Sequence, residues 1–403
     1  MDQYRILFFT SSLRTGGAEH HILNLCRWLR SAGHESAVCA MSSAEGGLET
    51  ILLDESVSIF RLPLESLRSL PSPRVVSGLR RITRNFRPHL LHAHLFHAEV
   101  AAAFASVLAR VPVIATRHSA GLEFRGWRRL AARALAHRFA ACVAVSREAA
   151  EEACATGHRR ERVTVIPNAV DPGRFRPIDE PERERRRIAL AAELFPKGVP
   201  RPFVLIGSAG GLKPVKNFSL MLRVAARLIS ETAPGTPAPA SRFVIFGEGD
   251  ERSSLETLSR DLGIDSIVSL PGRRDDLEAL YPLLDVFVLP SLREGAPMAL
   301  LEAMSSGVAC LASNVGGVGD VLADAGALER SGDECAFSAA LQQLTLNEDR
   351  RKELGRRARV RVLERYNLDI WGERILAVYR TALTGRISRV GSAPGNGSAN
   401  GSR

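Results

Sequence analysis

The chain has 403 residues, 45% of them hydrophobic and 24% charged, with a formal net charge of +10 at pH 7. That length implies two or three domains, and the balance is that of a globular protein with a full-size core, which excludes a disordered chain, a collagen and a disulfide mini-scaffold. No uninterrupted apolar run reaches the roughly 18 residues of a membrane-spanning helix, and Asp2 stands where a secretory leader carries basic residues, so a cytoplasmic protein is expected.

In chain order, residues 4–11 read as a strand and 18–31 as a helix. Further strands are predicted at 36–40, 57–62, 90–94, 111–115, 141–145 and 163–166, with helical stretches between most of them. From 171 to 202 the pattern pauses in a run rich in charge and proline (Pro172, Pro177, Pro181, Pro196, Pro200, Pro202), which marks a hinge near 172–200. Alternation resumes with a strand at 203–207, a helix at 218–230, a Pro-rich loop at 233–240, and strands at 243–246, 267–270, 286–290 and 308–312. After about Asp333 the chain turns helical, with a last helix at 366–383 and a Gly/Ser/Asn tail. Such alternation implies parallel sheets covered on both faces. The fold class is therefore α/β, with two Rossmann-like domains facing a central cleft at their carboxyl strand ends. The expected division is a first domain at 1–175, a second at 176–366, a helix at 367–385 packing back on the first, and a disordered tail at 386–403.

The six cysteines are never at C-x-x-C spacing, so zinc or redox chemistry is not indicated. The positive charge is concentrated. Residues 61–147 hold fifteen arginines, no lysine and three acids, a surplus that exceeds the net charge of the whole chain. Phospholipid headgroups, a phosphorylated substrate or simple solvation would each account for it. Nucleic acid is not expected, because no helix-turn-helix, RNP or zinc-finger pattern is present. Within this region, Trp127, Leu130 and Ala134 share one helical face and Arg125, Arg129 and Arg133 another. That stripe either packs on the sheet or lies on an anionic membrane.

The segment 289–304 carries the strongest chemical signal. A buried strand ends near Ser291, a loop bears Glu294, Pro297 opens a helix, and Glu302 lies inside it. Backbone N–H groups around Ala296–Ala299 are placed to cradle phosphate, and a carboxylate one turn on suits a vicinal diol. Taken alone, glutamates that merely cap and solvate a helix would look the same.

The set of motifs resembles the retaining glycosyltransferases of GT-B fold, family 4, over nearly the whole chain. Glu294 and Glu302 match both ends of their Glu-x7-Glu motif. Residues 15–19 (TGGAE) look like the first glycine loop, 166–171 (IPNAVD) like the segment before the hinge, 246–249 (FGEG) like the G-x-G turn, and 315–317 (VGG) like the following glycine turn. The resemblance implies a sugar transfer from a nucleotide diphosphate sugar of UDP or GDP type to a hydroxyl acceptor, such as a lipid-linked saccharide in polysaccharide or glycolipid assembly. It implies no metal and no cofactor beyond the donor. By position, Gly16, Gly17, Lys213, Lys216, Gly247, Glu294, Gly295, Ala296, Pro297, Met298 and Glu302 would bind the donor, with Lys216 at its diphosphate and Glu302 at its ribose. His118, Lys216 and Glu294 would be the catalytic set. No protein nucleophile is assigned, since the family is thought to react on one face of the sugar. The motif Gly-Arg-Leu-x-x-x-Lys departs here: Gly211 stands where arginine is usual, and Lys213 is the nearby cation. A nucleotide-sugar epimerase and a non-catalytic nucleotide-binding scaffold stay open as alternatives. His92, His94 and His97 cluster without a carboxylate partner, and Asp275-Asp276 looks like a helix start, so neither is read as a metal site. A cytoplasmic enzyme, peripheral on the inner face of the membrane through residues 61–147, is the expected setting.

Overall fold

A computed structural model of the chain describes residues 3–13, 16–41, 47–62, 73–118, 126–231 and 239–385. Thr15, most of the Pro-rich loop at 233–240 and the tail at 386–403 lie outside the described residues.

The first sheet holds β1 (Arg5–Thr10), β2 (Glu35–Ala40), β3 (Ser58–Arg61), β4 (Leu90–His94), β5 (Val113–Arg117), β6 (Phe139–Ala144) and β7 (Val163–Val165), in the order β3-β2-β1-β4-β5-β6-β7. The second holds β8 (Phe203–Ala209), β9 (Ala240–Phe246), β10 (Val268–Gly272), β11 (Val286–Leu289), β12 (Ala309–Ser313) and β13 (Ala327–Glu329), in the order β10-β9-β8-β11-β12-β13. The pairings are parallel throughout. The strand order reverses beside β1 in one sheet and beside β8 in the other, and crevices at such reversals are where open α/β sheets take ligands. Central strands such as Ile6–Phe9 and Val204–Ile206 are buried on both faces, which is why they read as unbroken apolar runs.

The run at 171–202 is not irregular throughout. Residues Glu180–Leu194 form a fifteen-residue helix. Pro181 sits in its first turn, where the missing N–H costs nothing, and the remaining prolines flank the helix rather than interrupt it. The strand predicted at 111–115 starts later, at Val113, because Pro112 has no N–H to give the ladder. Strand β13 was not predicted; three half-buried residues carry too little periodicity to be seen.

The chain crosses between the two sheets twice, and the crossings touch. Val170 N–H donates to the Tyr366 carbonyl at 2.9 Å, and the Arg359 guanidinium binds the carbonyls of Pro172 (2.9 Å), Phe175 (2.8 Å) and Ser305 (2.7 Å). Asn367 then caps the last helix, Leu368–Thr384, by accepting from Ile370 N–H. Trp371, Ile375, Leu376 and Tyr379 of that helix enter the core of the first sheet. Its close approach is permitted by Gly372, where any Cβ would strike the Trp28 ring.

Trp127, Leu130 and Ala134 do not pack on the sheet. Trp127 is 47% and Leu130 71% exposed, and Ala134, Arg129 and Arg133 are exposed beside them. The helix Trp127–Leu135 instead buries Ala132, while the Arg128 guanidinium lies over the Phe96 ring at 5.8 Å. Among the described residues, no helix is long and apolar enough to cross a membrane.

Candidate functional site

On the second sheet's side of the cleft, Gly210-Gly211 follow the end of β8, and a 3-10 turn at Pro214–Lys216 comes next. Lys216 Nζ meets Glu294 Oε1 at 2.6 Å, and Ser291 Oγ donates to the same oxygen at 2.7 Å. The two loops are joined by Leu292 N–H donating to the Val215 carbonyl at 2.8 Å. Glu294 is nearly enclosed, with 9% of its side chain exposed, and Lys216 retains 23%. At Gly211, an added Cβ would lie 3.7 Å from Lys213 Cε and 3.9 Å from its Cδ. The exposed Lys213 therefore folds back over the position from which an arginine at 211 would extend. Gly247, at the end of β9, sits against Gly210, so closely that a Cβ would land on the Gly210 carbonyl.

The helix Met298–Ser305 starts one residue later than expected: Pro297 is its cap, with extended backbone. The first N–H groups of this helix have no partner within it, which makes its start an anion-binding end. Gly295 lies against the first domain, where a Cβ would collide with the His118 carbonyl oxygen. Ala296 is held by a hydrogen bond from Asn168 Nδ2 at 2.7 Å. Glu302, half-buried on the same helix, accepts from the Tyr281 hydroxyl at 3.0 Å. Burial pushes its carboxyl up to about 7, against the opposing pull of the Tyr281 hydrogen bond and Arg174.

On the first sheet's side, Gly16 and Gly17 open the helix Gly17–Ser31. The Glu19 carboxylate bends back over Gly16, 2.5 Å from where a Cβ would be, and takes a hydrogen bond from Ser12 at 3.3 Å. Burial raises the Glu19 pKa, and Lys213 on the opposing loop is one of the groups that draw it back down. His118 directly follows β5. Its Nε2 is 2.9 Å from His94 Nδ1, and its ring stands edge-on to His21 at 4.9 Å. His92 is saturated by Tyr379 (2.8 Å) and Thr116 (2.7 Å). Desolvation holds His92, His94 and His118 well below the ordinary histidine value, so all three are neutral. His97 stands apart, in the first turn of the helix Phe96–Ala109.

The structure thus gathers Lys213, Lys216, Gly247, Glu294, Gly295, Ala296, Pro297 and Met298 around the ends of β8, β9 and β11, with His118 abutting Gly295 from the other domain. Gly16 and Gly17 face them beside Glu19, and Glu302 lies deeper, beside Tyr281. Four contributors were not anticipated: Ser291, Tyr281, His21 and Asn168. Asn168 lies within a motif the sequence showed, but its partners are far away in the chain. Asp276 precedes the short helix Leu277–Leu280, yet its carboxylate is paired with Arg274 at 2.8 Å instead of capping.

Residues 15–174 match the model of Glycosyltransferase Family 4, and residues 193–361 that of Glycosyl transferases group 1. The chain belongs to glycosyltransferase family 4. This family 4 enzyme is 29% identical over 289 residues (68% of this chain, 70% of the relative) to the UDP-Gal:alpha-D-GlcNAc-diphosphoundecaprenol alpha-1,3-galactosyltransferase of Escherichia coli. It is 31% identical over 238 residues to the D-inositol 3-phosphate glycosyltransferase of Acidothermus cellulolyticus, covering 57% of this chain and 50% of that one. Its fold is that of Anabaena HepE in complex with UDP and glucose (TM-score 0.80, 20% identity, 94% of this chain and 100% of that one). Sucrose-phosphate synthase from Thermosynechococcus elongatus shares it too (TM-score 0.74, 18% identity, 95% of this chain and 100% of that one). The two-domain GT-B architecture and the glycosyltransferase class are thereby established.

Proposed function

We propose that this glycosyltransferase moves a sugar, with retention at the anomeric carbon, from a nucleoside diphosphate donor to a hydroxyl of a lipid-linked saccharide. The observation that carries the proposal is the Lys216–Glu294 pair at the start of the helix Met298–Ser305, facing His118 across the cleft. The second domain would take the donor and the first the acceptor. As the glycosidic bond breaks, negative charge grows on the leaving diphosphate. Lys216, Lys213 and the helix N-terminus stabilise that charge, the kind of aimed electrostatics that contributes most to many enzymes. Glu294 receives the sugar's hydroxyls through the edge that Lys216 and Ser291 leave open. His118, neutral, is a hydrogen-bonding partner for the sugar rather than a charge. No side chain needs to act as nucleophile, and the scheme takes no metal, because the lysines and the helix end supply the positive charge.

A uridine donor is favoured over a guanosine one by the name of the Escherichia coli relative and by the UDP complex of HepE. A thermal-shift panel of UDP, GDP, ADP and their sugars tests this. Ligand at 100 times its Kd adds about 2.7 kcal/mol of stability. A shift with UDP compounds alone supports the proposal, and no shift with any nucleotide sinks it.

Glu302 gives the binding a pH signature. Two ribose hydroxyls donate best to the ionised carboxylate, so binding favours the charged form. With the free carboxyl titrating at about 7, nucleotide affinity is expected to rise from pH 6 to pH 8 and binding near pH 6.5 to release a proton. In the free protein the same group works the other way: its contribution to stability is complete below its ordinary range and is lost as pH rises through about 7. Calorimetry in buffers of different ionisation enthalpy reads the proton release. Glu302→Gln should abolish it, and an equal release from the variant would remove Glu302 from the ribose site.

The exposed stripe of Trp127, Leu130 and Ala134, flanked by Arg129 and Arg133, suits the surface of an anionic bilayer, as a peripheral enzyme with a lipid-linked acceptor on the inner face of the membrane requires. Each arginine near such a surface contributes about 1 kcal/mol. The wild type should sediment with phosphatidylglycerol vesicles at low salt and not with phosphatidylcholine, and Arg129→Glu with Leu130→Ser should weaken this at least about tenfold. Equal sedimentation of the variant would place the membrane face elsewhere.

A further inference from the structure

We propose that Asn168 is a positioning residue for the donor loop: its carboxamide joins the two domains, holds the Ala296 carbonyl, and sets the tilt of the peptide that leads into the helix Met298–Ser305. The proposal rests on the reading of that loop as the donor site.

Asn168 is buried, and its two hydrogen bonds determine one another. Nδ2 lies 2.7 Å from the Ala296 carbonyl oxygen. A carbonyl has only lone pairs, so the amide group must face it, and the carboxamide cannot be the other way round. Oδ1 is then the atom 2.9 Å from His21 Nδ1. That nitrogen must carry a proton. His21 is buried, and desolvation holds its pKa at about 4, so the ring is neutral and Nε2 is a bare lone pair. Nε2 has no hydrogen-bond partner among the described residues. Moving the proton to Nε2 would break the Asn168 bond without making another.

The ring that sets Asn168 is itself clamped. His21 stands edge-on to His118 at 4.9 Å and to Trp371 at 4.8 Å. A line of contacts therefore runs from the last helix of the chain through Trp371, His21 and Asn168 to Ala296. At its far end the Ala296–Pro297 peptide has no N–H. The Ala296 carbonyl is the only hydrogen-bonding group on that peptide, and Asn168 is what holds it. The N–H groups that follow, from Met298 onward, inherit that orientation. Misplacing a binding element by about 1 Å can cost about a hundredfold in rate.

The test is a pair of near-isosteric variants and one spectrum. Asn168→Asp replaces the donor by an oxygen facing the Ala296 carbonyl. It should lower kcat at least about tenfold, while the donor KM changes less; the buried acceptor left unpaired also costs stability, so the rates are compared well below the variant's lowered melting temperature. His21→Phe keeps the ring and removes the bond to Oδ1; it should lower kcat by less. The double variant should be no slower than Asn168→Asp alone, because both changes break one bridge. In the wild type, 15N correlation of the histidine side chains should show His21 as the neutral Nδ1–H tautomer, with or without nucleotide. An Nε2–H tautomer, wild-type kcat in Asn168→Asp, or fully additive losses in the double variant would each overturn the proposal. A wild type that binds no nucleotide would sink the donor-site reading and this proposal together; one that turns over and is matched by Asn168→Asp sinks this proposal alone.

Discussion

Lys216→Ala is expected to lower turnover by roughly 10²- to 10³-fold, the range seen when one preorganised charge-stabilising donor is removed from an active site. Two losses combine in this variant. The cation that would meet the leaving diphosphate is gone, and the nearly enclosed Glu294 carboxylate loses its 2.6 Å partner and retains only Ser291. A buried charge stripped of its partner is costly, so Glu294 should also shift from its position toward the sugar. Lys213 does not replace the missing group, because its chain lies over Gly211 on the exposed side of the turn. Initial rates with a donor and acceptor pair, together with the nucleotide-induced rise in melting temperature, measure the effect. Unchanged kinetics and an unchanged nucleotide shift would remove Lys216 from the site.

The second large effect is expected at a residue with no side chain. Gly295 backbone lies against the His118 carbonyl, and the Val145 side chain closes the space beside it, with Cγ2 at 3.0 Å from an added Cβ. Gly295→Ala puts a methyl group where the two domains meet. The obstacle is backbone oxygen, which cannot swing aside, so the domains must separate by about an ångström or the loop must shift by as much. Either change should reduce kcat about a hundredfold. Each sheet has its own core, so the variant should fold and still bind nucleotide. Gly211→Ala is the control: its Cβ meets the flexible end of Lys213 at 3.7 Å and the Glu248 carbonyl at 3.9 Å, both ordinary contacts, and it should keep most of its activity. Near-normal turnover in Gly295→Ala would show that the catalytic state does not bring these two loops together as closely as the structure does.

Both predictions concern residues visible in the sequence, because they fall in local motifs that match the family's pattern. Glu294 and Glu302 lie on either side of the helix-opening Pro297 in one strand–loop–helix unit, which assigns one to the loop and the other to the helix, and their roles came from the resemblance to the Glu-x7-Glu motif. Lys216 stands nine residues past the strand predicted at 203–207, and it was picked out by its match to the lysine of the family's Gly-Arg-Leu-x-x-x-Lys motif. The alternation of apolar runs and amphipathic stretches was likewise local, and it sufficed for two parallel sheets in succession. Prediction failed where local signals compete. Six prolines between 172 and 202 suggested irregular chain, yet Glu180–Leu194 is helical because only Pro181 falls inside the helix, in its first turn.

By itself the sequence determined the two α/β units, the order of their strands along the chain, the loop that carries Glu294, and the helical face shared by Trp127, Leu130 and Ala134. Those properties follow from periodicity and from residues a few positions apart. Only the tertiary structure decided that this face points outward, since burial depends on what lies opposite and not on the pattern. Only it joined Asn168 to Ala296, 128 residues away, and to His21, 147 residues away. A hydrogen bond between distant residues leaves no trace in local spacing; it exists because two separate sheets bring their carboxyl ends to one cleft.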